Sequence, residues 1–302
     1  MLGSRKYTGP ERRKAARWRP RPLRLLLTLL VLVVLGYMSA VIWLMTQETR
    51  MVFQAGATLG PGRPPFAFEQ VDLPRPDGQR QFAWRMPVGH ADAPWVLFLH
   101  GNAATLASNV NISHYRLLKT VGVNIFAPEY RGFSGLGGTP TEETLAVDAR
   151  AAYDYLRGRV HVPGSRIVIY GWSLGSAVAV RLASEVEEAA VVLEGAPASI
   201  ADIGQLQYPF FPIRLVMRSK FDSCRRVDRI RSPILFLHSP EDAVIPIGEG
   251  RRLYAAARAE KSFVEVRGGH VYASDADQPR FVATISEFLE QHGLDPHVPP
   301  SH

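Results

Sequence analysis

The sequence contains a single cysteine, Cys224, among 302 residues, so an intramolecular disulfide bond is excluded. About 255 residues follow the N-terminal apolar segment, which is enough to bury a hydrophobic core without crosslinks. The chain also lacks an H-E-x-x-H motif and a cysteine pair, and the glycines at Gly135–Gly138 do not follow a strand with phosphate-loop spacing. We therefore expect no metal, no nucleotide and no other cofactor.

Positive charge is concentrated in the N-terminal tail. Residues 1–24 contain nine Lys or Arg and one Glu, a net charge of +8, whereas the whole chain carries +7. Residues 25–302 therefore sum to −1, and the high isoelectric point belongs to the tail. A basic surface for nucleic acid is not expected on the folded part of the chain.

The tail is followed by an uncharged apolar run from Leu25 to Met45, about the length needed to cross a bilayer core. Because basic residues precede this run, the positive-inside rule predicts a cytoplasmic tail at 1–24 and a single transmembrane helix at 25–45. The following domain is then extracytoplasmic, which means periplasmic in a bacterium. The alternative is a cleaved signal peptide. The run is longer than a usual signal sequence and Met38-Ser39-Ala40 is a poor cleavage site, so we expect a retained anchor.

Gly and Pro are frequent in residues 46–65, which we predict to be a linker with Met51-Val52-Phe53 as a candidate docking segment. Two strands joined by a turn at Pro76-Asp77-Gly78 are predicted within 66–86. We expect the folded domain to span 66–293 and to be followed by a frayed tail at 294–302.

From Trp95 onward, apolar runs alternate with helical patterns, which indicates a mainly parallel sheet with helices on both faces. One helix is expected to begin with a capping box at Thr139-Pro140-Thr141-Glu142. The predicted strands are Val96–Leu99, Val123–Ala127, Ile167–Tyr170, Ala190–Leu193, Ile234–Leu237 and Phe263–Val266.

One of these strands leads into a G-x-S-x-G motif, in which the two glycines are required by the backbone geometry. Ile167–Tyr170 is followed by Gly171-Trp172-Ser173-Leu174-Gly175 and then by an Ala- and Val-rich segment predicted to be a helix. In a G-x-S-x-G turn the serine adopts a strained backbone conformation, and the flanking glycines let the strand and the helix pass closely. Such a turn exposes the Ser173 hydroxyl as a nucleophile and directs the Leu174 amide at a developing oxyanion.

A serine hydroxyl needs an imidazole to accept its proton, and the imidazole needs a carboxylate to orient it. On this kind of sheet the acid and then the histidine follow the serine along the chain. The loop after Ile234–Leu237 contains Asp242, and the loop after the next strand contains His270. Both loops lie at the carboxyl ends of strands, where open α/β sheets place their sites. We predict Asp242 as the acid and His270 as the base.

Two other carboxylates are alternatives for the acid. Glu241 is adjacent to Asp242 and fits a solvated loop charge. Glu194 ends the strand after the nucleophile, a position at which some proteins of this architecture carry the acid. We expect a structural hydrogen-bonding role for Glu194.

The second oxyanion donor is expected from the loop after Val96–Leu99, which contains His100-Gly101-Asn102-Ala103. The amide of Asn102 is the predicted donor, and the amide of Ala103 is the alternative. His100 is expected to brace this loop rather than to transfer protons.

These motifs lie at His100-Gly101-Asn102, Glu129–Gly135, Gly171–Gly175, Asp242–Pro246 and Gly269-His270. In combination they resemble the α/β-hydrolase superfamily and, within it, the membrane-anchored ABHD-type serine hydrolases with a serine-aminopeptidase-type hydrolase domain. The resemblance covers residues 51–293 and the single anchor. It implies an α/β-hydrolase fold and a catalytic triad of Ser173, Asp242 and His270. Relatives more often have Asp at Glu129 and Gly-Thr at Ser239-Pro240.

Residues 197–225 are strongly apolar and contain two prolines, which fits either a helix packed on the sheet edge or a short cap that lines an acyl pocket. Phe210, Phe211 and Met217 are the candidate substrate-binding residues. An anchor together with an apolar cap favours a small-molecule or lipid-like acyl substrate. We predict cleavage of ester, thioester or amide bonds through an acyl-enzyme. Acyl transfer by the same triad and a non-catalytic binding role are the alternatives.

Overall fold

The structure, a computed structural model, describes residues 22–55, 63–75, 78–90, 92–271 and 273–295. Residues 1–21 of the predicted tail, Pro76 and Asp77 of the predicted turn, and residues 296–302 lie outside this part of the chain. The chain divides into two units, Met1–Leu44 and Met45–His302.

Helix α1 runs from Pro22 to Phe53 and is the one described helix long and apolar enough to cross a membrane. It contains the predicted span 25–45 and continues past it, so the predicted linker is wrong over residues 46–53. The helix continues because no Gly or Pro interrupts it there. It ends at Phe53, and the next residue, Gln54, has a φ of +47°.

The described strands form one eight-stranded sheet with the order β1-β2-β4-β3-β5-β6-β7-β8. The pairs β1–β2 and β2–β4 are antiparallel, and all the other pairs are parallel. The strands are β1 Glu69–Leu73, β2 Gln81–Met86, β3 Trp95–Leu99, β4 Asn124–Pro128, β5 Ile167–Trp172, β6 Ala190–Glu194, β7 Ile234–His238 and β8 Lys261–Glu265. The predicted mainly parallel sheet is confirmed, and each of the six predicted strands is present.

Helices connect the parallel strands and cover both faces of the sheet. They are α2 Asn109–Val121, α3 Glu142–Gly158, α4 Leu174–Ala183, α5 Ile200–Gln207, α6 Ile213–Val216, α7 Ile247–Ala256, α8 Ala273–Ala276 and α9 Gln278–Gln291. Helix α3 is capped by Thr141 and Thr144 rather than from Thr139, so the predicted capping box is displaced. The hydroxyl of Thr144 takes the place of the usual Glu at this position.

The hydrophobic core has two layers, one on each face of the sheet. In β5, Ile167 and Ile169 belong to a buried cluster with residues of α3 and α4. Val168 and Tyr170 belong to a second cluster with residues of α2 and α9. Successive side chains of a strand point to opposite faces, so a strand covered on both sides is apolar throughout. Because β3, β5, β6 and β7 run parallel, the sheet places their carboxyl ends at one edge.

Candidate active site

Ser173 lies between the end of β5 and the start of α4, in a turn that only glycine-flanked sequences can form. Its φ of +56° and ψ of −124° are strained for a residue with a side chain. A Cβ atom at Gly171 would lie 2.4 Å from the carbonyl oxygen of Gly175, and one at Gly175 would lie 2.0 Å from the carbonyl oxygen of Leu99. The obstructing atoms belong to the backbone, so neither glycine can be replaced without moving a strand or the helix.

Three loops bring Ser173, Asp242 and His270 into one hydrogen-bonded chain. The Oγ atom of Ser173 is 2.7 Å from Nε2 of His270, and Nδ1 of His270 is 2.6 Å from Oδ2 of Asp242. The second carboxylate oxygen, Oδ1, accepts the N–H groups of Val244 and Ile245 at 2.9 and 2.8 Å. One imidazole nitrogen therefore faces the hydroxyl while the other faces a fixed carboxylate.

The electrostatic environment keeps Asp242 ionised. Burial raises the pKa of this carboxyl, but the hydrogen bond and charge of His270, with the amides of Ile245 and Val244, outweigh burial and leave the pKa below its ordinary value. The side chain of Asp242 is only 2% exposed. A buried carboxylate that stays charged is suited to hold the Nδ1 proton of a neighbouring histidine.

The imidazole of His270 is also held by packing. Its ring stacks on Trp172, with ring centroids 5.9 Å apart and an interplanar angle of 29°. Gly195 approaches from the end of β6, where an added Cβ atom would lie 3.3 Å from Cε1 of His270. These neighbours limit rotation of the ring, so its two nitrogens keep their assignments to Ser173 and Asp242.

The two alternative acids are placed elsewhere. Glu241 is exposed. The carboxylate of Glu194 is buried and accepts hydrogen bonds from Tyr170 Oη at 2.5 Å and from His114 Nε2 at 2.9 Å. Burial lowers the pKa of His114, but the charge and hydrogen bond of Glu194 outweigh burial and raise that pKa above its ordinary value. Glu194 is thus the partner of a buried histidine behind the site.

The sequence predicts a structural role for Glu194 but does not identify His114 as its partner. Eighty residues separate the two in the chain. The one local signal is at Glu194, a titratable residue at the end of an otherwise apolar strand, where an unpaired charge would be costly. Nothing in either segment indicates which partner the other supplies.

The backbone amides near the Ser173 hydroxyl differ in whether they already donate a hydrogen bond. The amide of Ala103 donates to the carbonyl oxygen of Phe53 at 3.1 Å and is therefore occupied. Among the described residues, neither the amide of Asn102 nor that of Leu174 donates a hydrogen bond to another protein group. Of the two candidate donors in the first loop, the structure leaves the amide of Asn102 available.

A buried network braces this loop. His100 contacts the carbonyl oxygen of Gly101 through Nδ1 at 2.8 Å and the carboxylate of Glu129 through Nε2 at 2.9 Å. Glu129 also accepts the amides of Leu106 and Tyr130, both at 3.1 Å. Both ring nitrogens of His100 thus make a contact that braces the loop, and Glu129 ties the loop to the end of β4.

The predicted cap contains the short helices α5 and α6. Met217 is buried, Phe211 is half-buried and Phe210 is 85% exposed. Their assignment to substrate binding stays a prediction. Among the described residues, no group of three or more His, Cys, Asp or Glu side chains is arranged to hold a metal ion.

A serine on a strained strand-to-helix turn, beside a histidine and an acid from later loops of a mainly parallel sheet, defines the α/β-hydrolase class. The alpha/beta hydrolase family profile matches residues 96–221. The α/β-hydrolase domain-containing protein WAV2 of Arabidopsis thaliana is 30% identical over 77% of this chain and 82% of its own length. The chain therefore belongs to the α/β-hydrolase family.

Other relatives extend this comparison. An uncharacterized protein of Mycobacterium tuberculosis is 32% identical over 88% of this chain and 95% of its own length. Lysophosphatidylserine lipase ABHD12 of Macaca fascicularis is 30% identical over 56% of this chain and 46% of its own length, so the match spans about half of that lipase. The Pyrococcus furiosus esterase Pf2001 superposes with a TM-score of 0.64 at 20% identity, over 78% of this chain and 95% of the esterase, which shows the shared fold.

Proposed function

We propose that this protein is a serine hydrolase that cleaves the ester bond of an apolar acyl substrate through an acyl-enzyme on Ser173. The observation that carries the proposal is the continuous chain from Ser173 Oγ through His270 to Asp242, at 2.7 and 2.6 Å, on a strained turn. A strained backbone conformation lowers stability, and such strain is concentrated at functional sites. The hydrogen-bonded histidine and acid beside Ser173 therefore support a catalytic role for this turn.

In the first half of the reaction, Nε2 of His270 accepts the hydroxyl proton as Ser173 Oγ attacks the carbonyl carbon of the ester. The carbonyl oxygen becomes an oxyanion, and the amides of Leu174 and Asn102 donate to it. Asp242 stabilises the imidazolium that forms. His270 then gives its proton to the leaving alkoxide, which departs as an alcohol and leaves the acyl group on Ser173.

In the second half, water replaces the alcohol. Nε2 of His270 accepts a proton from water as the water oxygen attacks the acyl carbon, and the same two amides hold the new oxyanion. The bond between the acyl carbon and Ser173 Oγ breaks, and the proton returns from His270 to that oxygen. A carboxylic acid leaves, and the resting hydrogen-bonded chain is restored.

The proposed substrate class is a single-chain acyl ester with a polar head. One relative, ABHD12, is a lysophosphatidylserine lipase. The match to this chain covers about half of the length of ABHD12. The segment 197–225 is rich in apolar side chains, of which Met217 is buried and Phe211 half-buried. An apolar lining stabilises an alkyl chain by about 0.8 kcal/mol for each buried methylene group.

A p-nitrophenyl ester series tests this proposal. The full-length protein in detergent micelles should react with a fluorophosphonate, and kcat/KM should rise from acetyl to octanoyl ester. Phe211→Asp should raise KM for the octanoyl ester more than for the acetyl ester, because a charge beside the chain opposes alkyl binding. A protein that neither labels nor hydrolyses any ester contradicts the function. Equal losses for all chain lengths in Phe211→Asp contradict the acyl-binding role.

We also propose that α1 spans the membrane once, with residues 1–24 in the cytoplasm and the hydrolase domain outside it. The basic tail and the apolar helix Pro22–Phe53 support this orientation. Alkaline phosphatase fused after His302 should be active, and the full-length protein should stay in the membrane fraction. An inactive fusion would contradict the orientation, and a soluble protein that lacks α1 would contradict the anchor.

A further inference from the structure

The last turns of α1, residues 48–53, contact the oxyanion loop directly. These residues and the loop belong to the same unit, Met45–His302. The carbonyl oxygen of Val52 accepts the side-chain Nδ2 of Asn102 at 3.1 Å, and the carbonyl oxygen of Phe53 accepts the amide of Ala103 at 3.1 Å. The helix end and the loop are therefore joined by two hydrogen bonds that involve consecutive residues on each side.

These bonds satisfy a need of both partners. The last four carbonyl groups of an α-helix have no N–H partner within the helix. Where the helix end packs against protein, these carbonyl oxygens need hydrogen-bond donors from other segments. The loop supplies two such donors. In return, the bond from its amide holds Ala103 at a φ of +52°, a left-handed conformation that a non-glycine residue rarely adopts.

Packing fixes the helix end in the same place. Phe53 is fully buried in the core cluster on one face of the sheet, and its ring meets that of Phe221 edge to face, with centroids 6.0 Å apart. Five residues earlier in the helix, the carboxylate of Glu48 accepts hydrogen bonds from the amides of Arg218 at 3.0 Å and Ser219 at 2.7 Å. The helix end thus contacts both the oxyanion loop and the end of the segment 197–225.

We infer that the end of α1 is a positioning element of the active site, which sets the Asn102 amide toward the oxyanion while occupying the neighbouring amide of Ala103. This inference rests on the proposed hydrolase function. Phe53 acts through the loop rather than on the substrate, and the same holds for the side chain of Asn102. The oxyanion exists only in the transition state, so loss of this positioning lowers kcat and leaves KM nearly unchanged.

The test uses the full-length protein in detergent micelles with p-nitrophenyl butyrate. Phe53→Ala should lower kcat about tenfold with little change in KM, because a small displacement of an oxyanion donor is costly. Phe53→Leu refills most of the volume and should restore most of kcat. Asn102→Ala removes the bond to Val52 without adding charge or emptying the core, and it should lower kcat in the same way even if Phe53→Ala folds poorly.

Phe288→Ala is the matched control. Phe288 is a buried phenylalanine of α9 in the cluster on the other face of the sheet. It should lose a similar amount of Tm while keeping the wild-type kcat per fluorophosphonate-reactive site. Wild-type kcat in Asn102→Ala and Phe53→Ala, or an equal loss of kcat in Phe288→Ala, would overturn the inference and leave the hydrolase function standing. An inactive, unreactive wild-type protein would instead overturn the proposed function, and the inference with it.

Discussion

Ser173→Ala is expected to abolish fluorophosphonate labelling and to lower kcat by a factor on the order of 10⁶. His270→Ala should cost a similar factor, because Ser173 Oγ has its 2.7 Å hydrogen bond to Nε2 of this residue and a serine hydroxyl hardly ionises unaided. The double variant should be little worse than either single variant. Groups that act in one proton transfer lose their effect together, so their losses do not add.

The measurement is single-turnover and steady-state hydrolysis of a p-nitrophenyl ester by each full-length variant, with labelling followed on a gel. Ser184→Ala is the matched control, since Ser184 lies at the far end of α4 and its hydroxyl donates to the carbonyl of Arg181. It should label and turn over like the wild-type protein. Persistent labelling in Ser173→Ala would assign the nucleophile to another residue, and additive losses in the double variant would separate Ser173 from His270.

The sequence predicts this fold well where the information is local. Strands β3 to β7 are buried along their whole length and mostly apolar because both of their faces are covered, and such an apolar run is visible without knowledge of the neighbours. The turn around Ser173 is equally local. A Cβ atom added at either of its two glycines would lie 2.4 or 2.0 Å from a backbone oxygen. The glycine spacing that is visible in the sequence is therefore required by the packing of the turn.

Contacts between residues that are distant in the sequence are harder to predict. The ion pair of His114 and Glu194 joins α2 to β6, and neither segment contains a sign of the other. The end of α1 shows the same difficulty. Glycine and proline after Gln54 made residues 46–65 resemble a linker, yet burial of Phe53 and the donors of the oxyanion loop keep residues 46–53 helical. Met51-Val52-Phe53 gave a partial signal, because three apolar residues in a polar stretch favour docking.

The acid loop contains Ser239-Pro240, where the resemblance implies Gly-Thr, and the structure shows how a serine fits there. The hydroxyl of Ser239 accepts the amide of Glu241 at 3.1 Å, and its carbonyl oxygen accepts the amide of Asp242 at 3.2 Å. A serine side chain can therefore brace the tight turn that leads to the acid. The loop still presents Asp242 to His270, and Glu241 is directed outward.

The choice between Asp242 and Glu194 gives the second large expected effect. Asp242→Asn should lower kcat by a factor on the order of 10⁴, because an amide cannot hold the proton on Nδ1 of His270 and the imidazole then presents Nε2–H to Ser173. Slow fluorophosphonate labelling should remain, since the nucleophile is intact. This residual labelling distinguishes the orienting role of Asp242 from the chemical role of Ser173.

Glu194→Gln is the matched variant, an acid-to-amide change in a buried side chain near the same turn. Its carboxylate contacts His114 and Tyr170, so the substitution should lower the free energy of unfolding by on the order of 2 kcal/mol. Turnover per labelled site should stay within a few-fold of wild type, because no catalytic proton passes through this pair. If Glu194→Gln instead lost four orders of magnitude and Asp242→Asn lost little, Glu194 would be the acid. The 2.6 Å contact between Asp242 and His270 would then be a structural bond, and the orientation of the imidazole would have to come from behind β6.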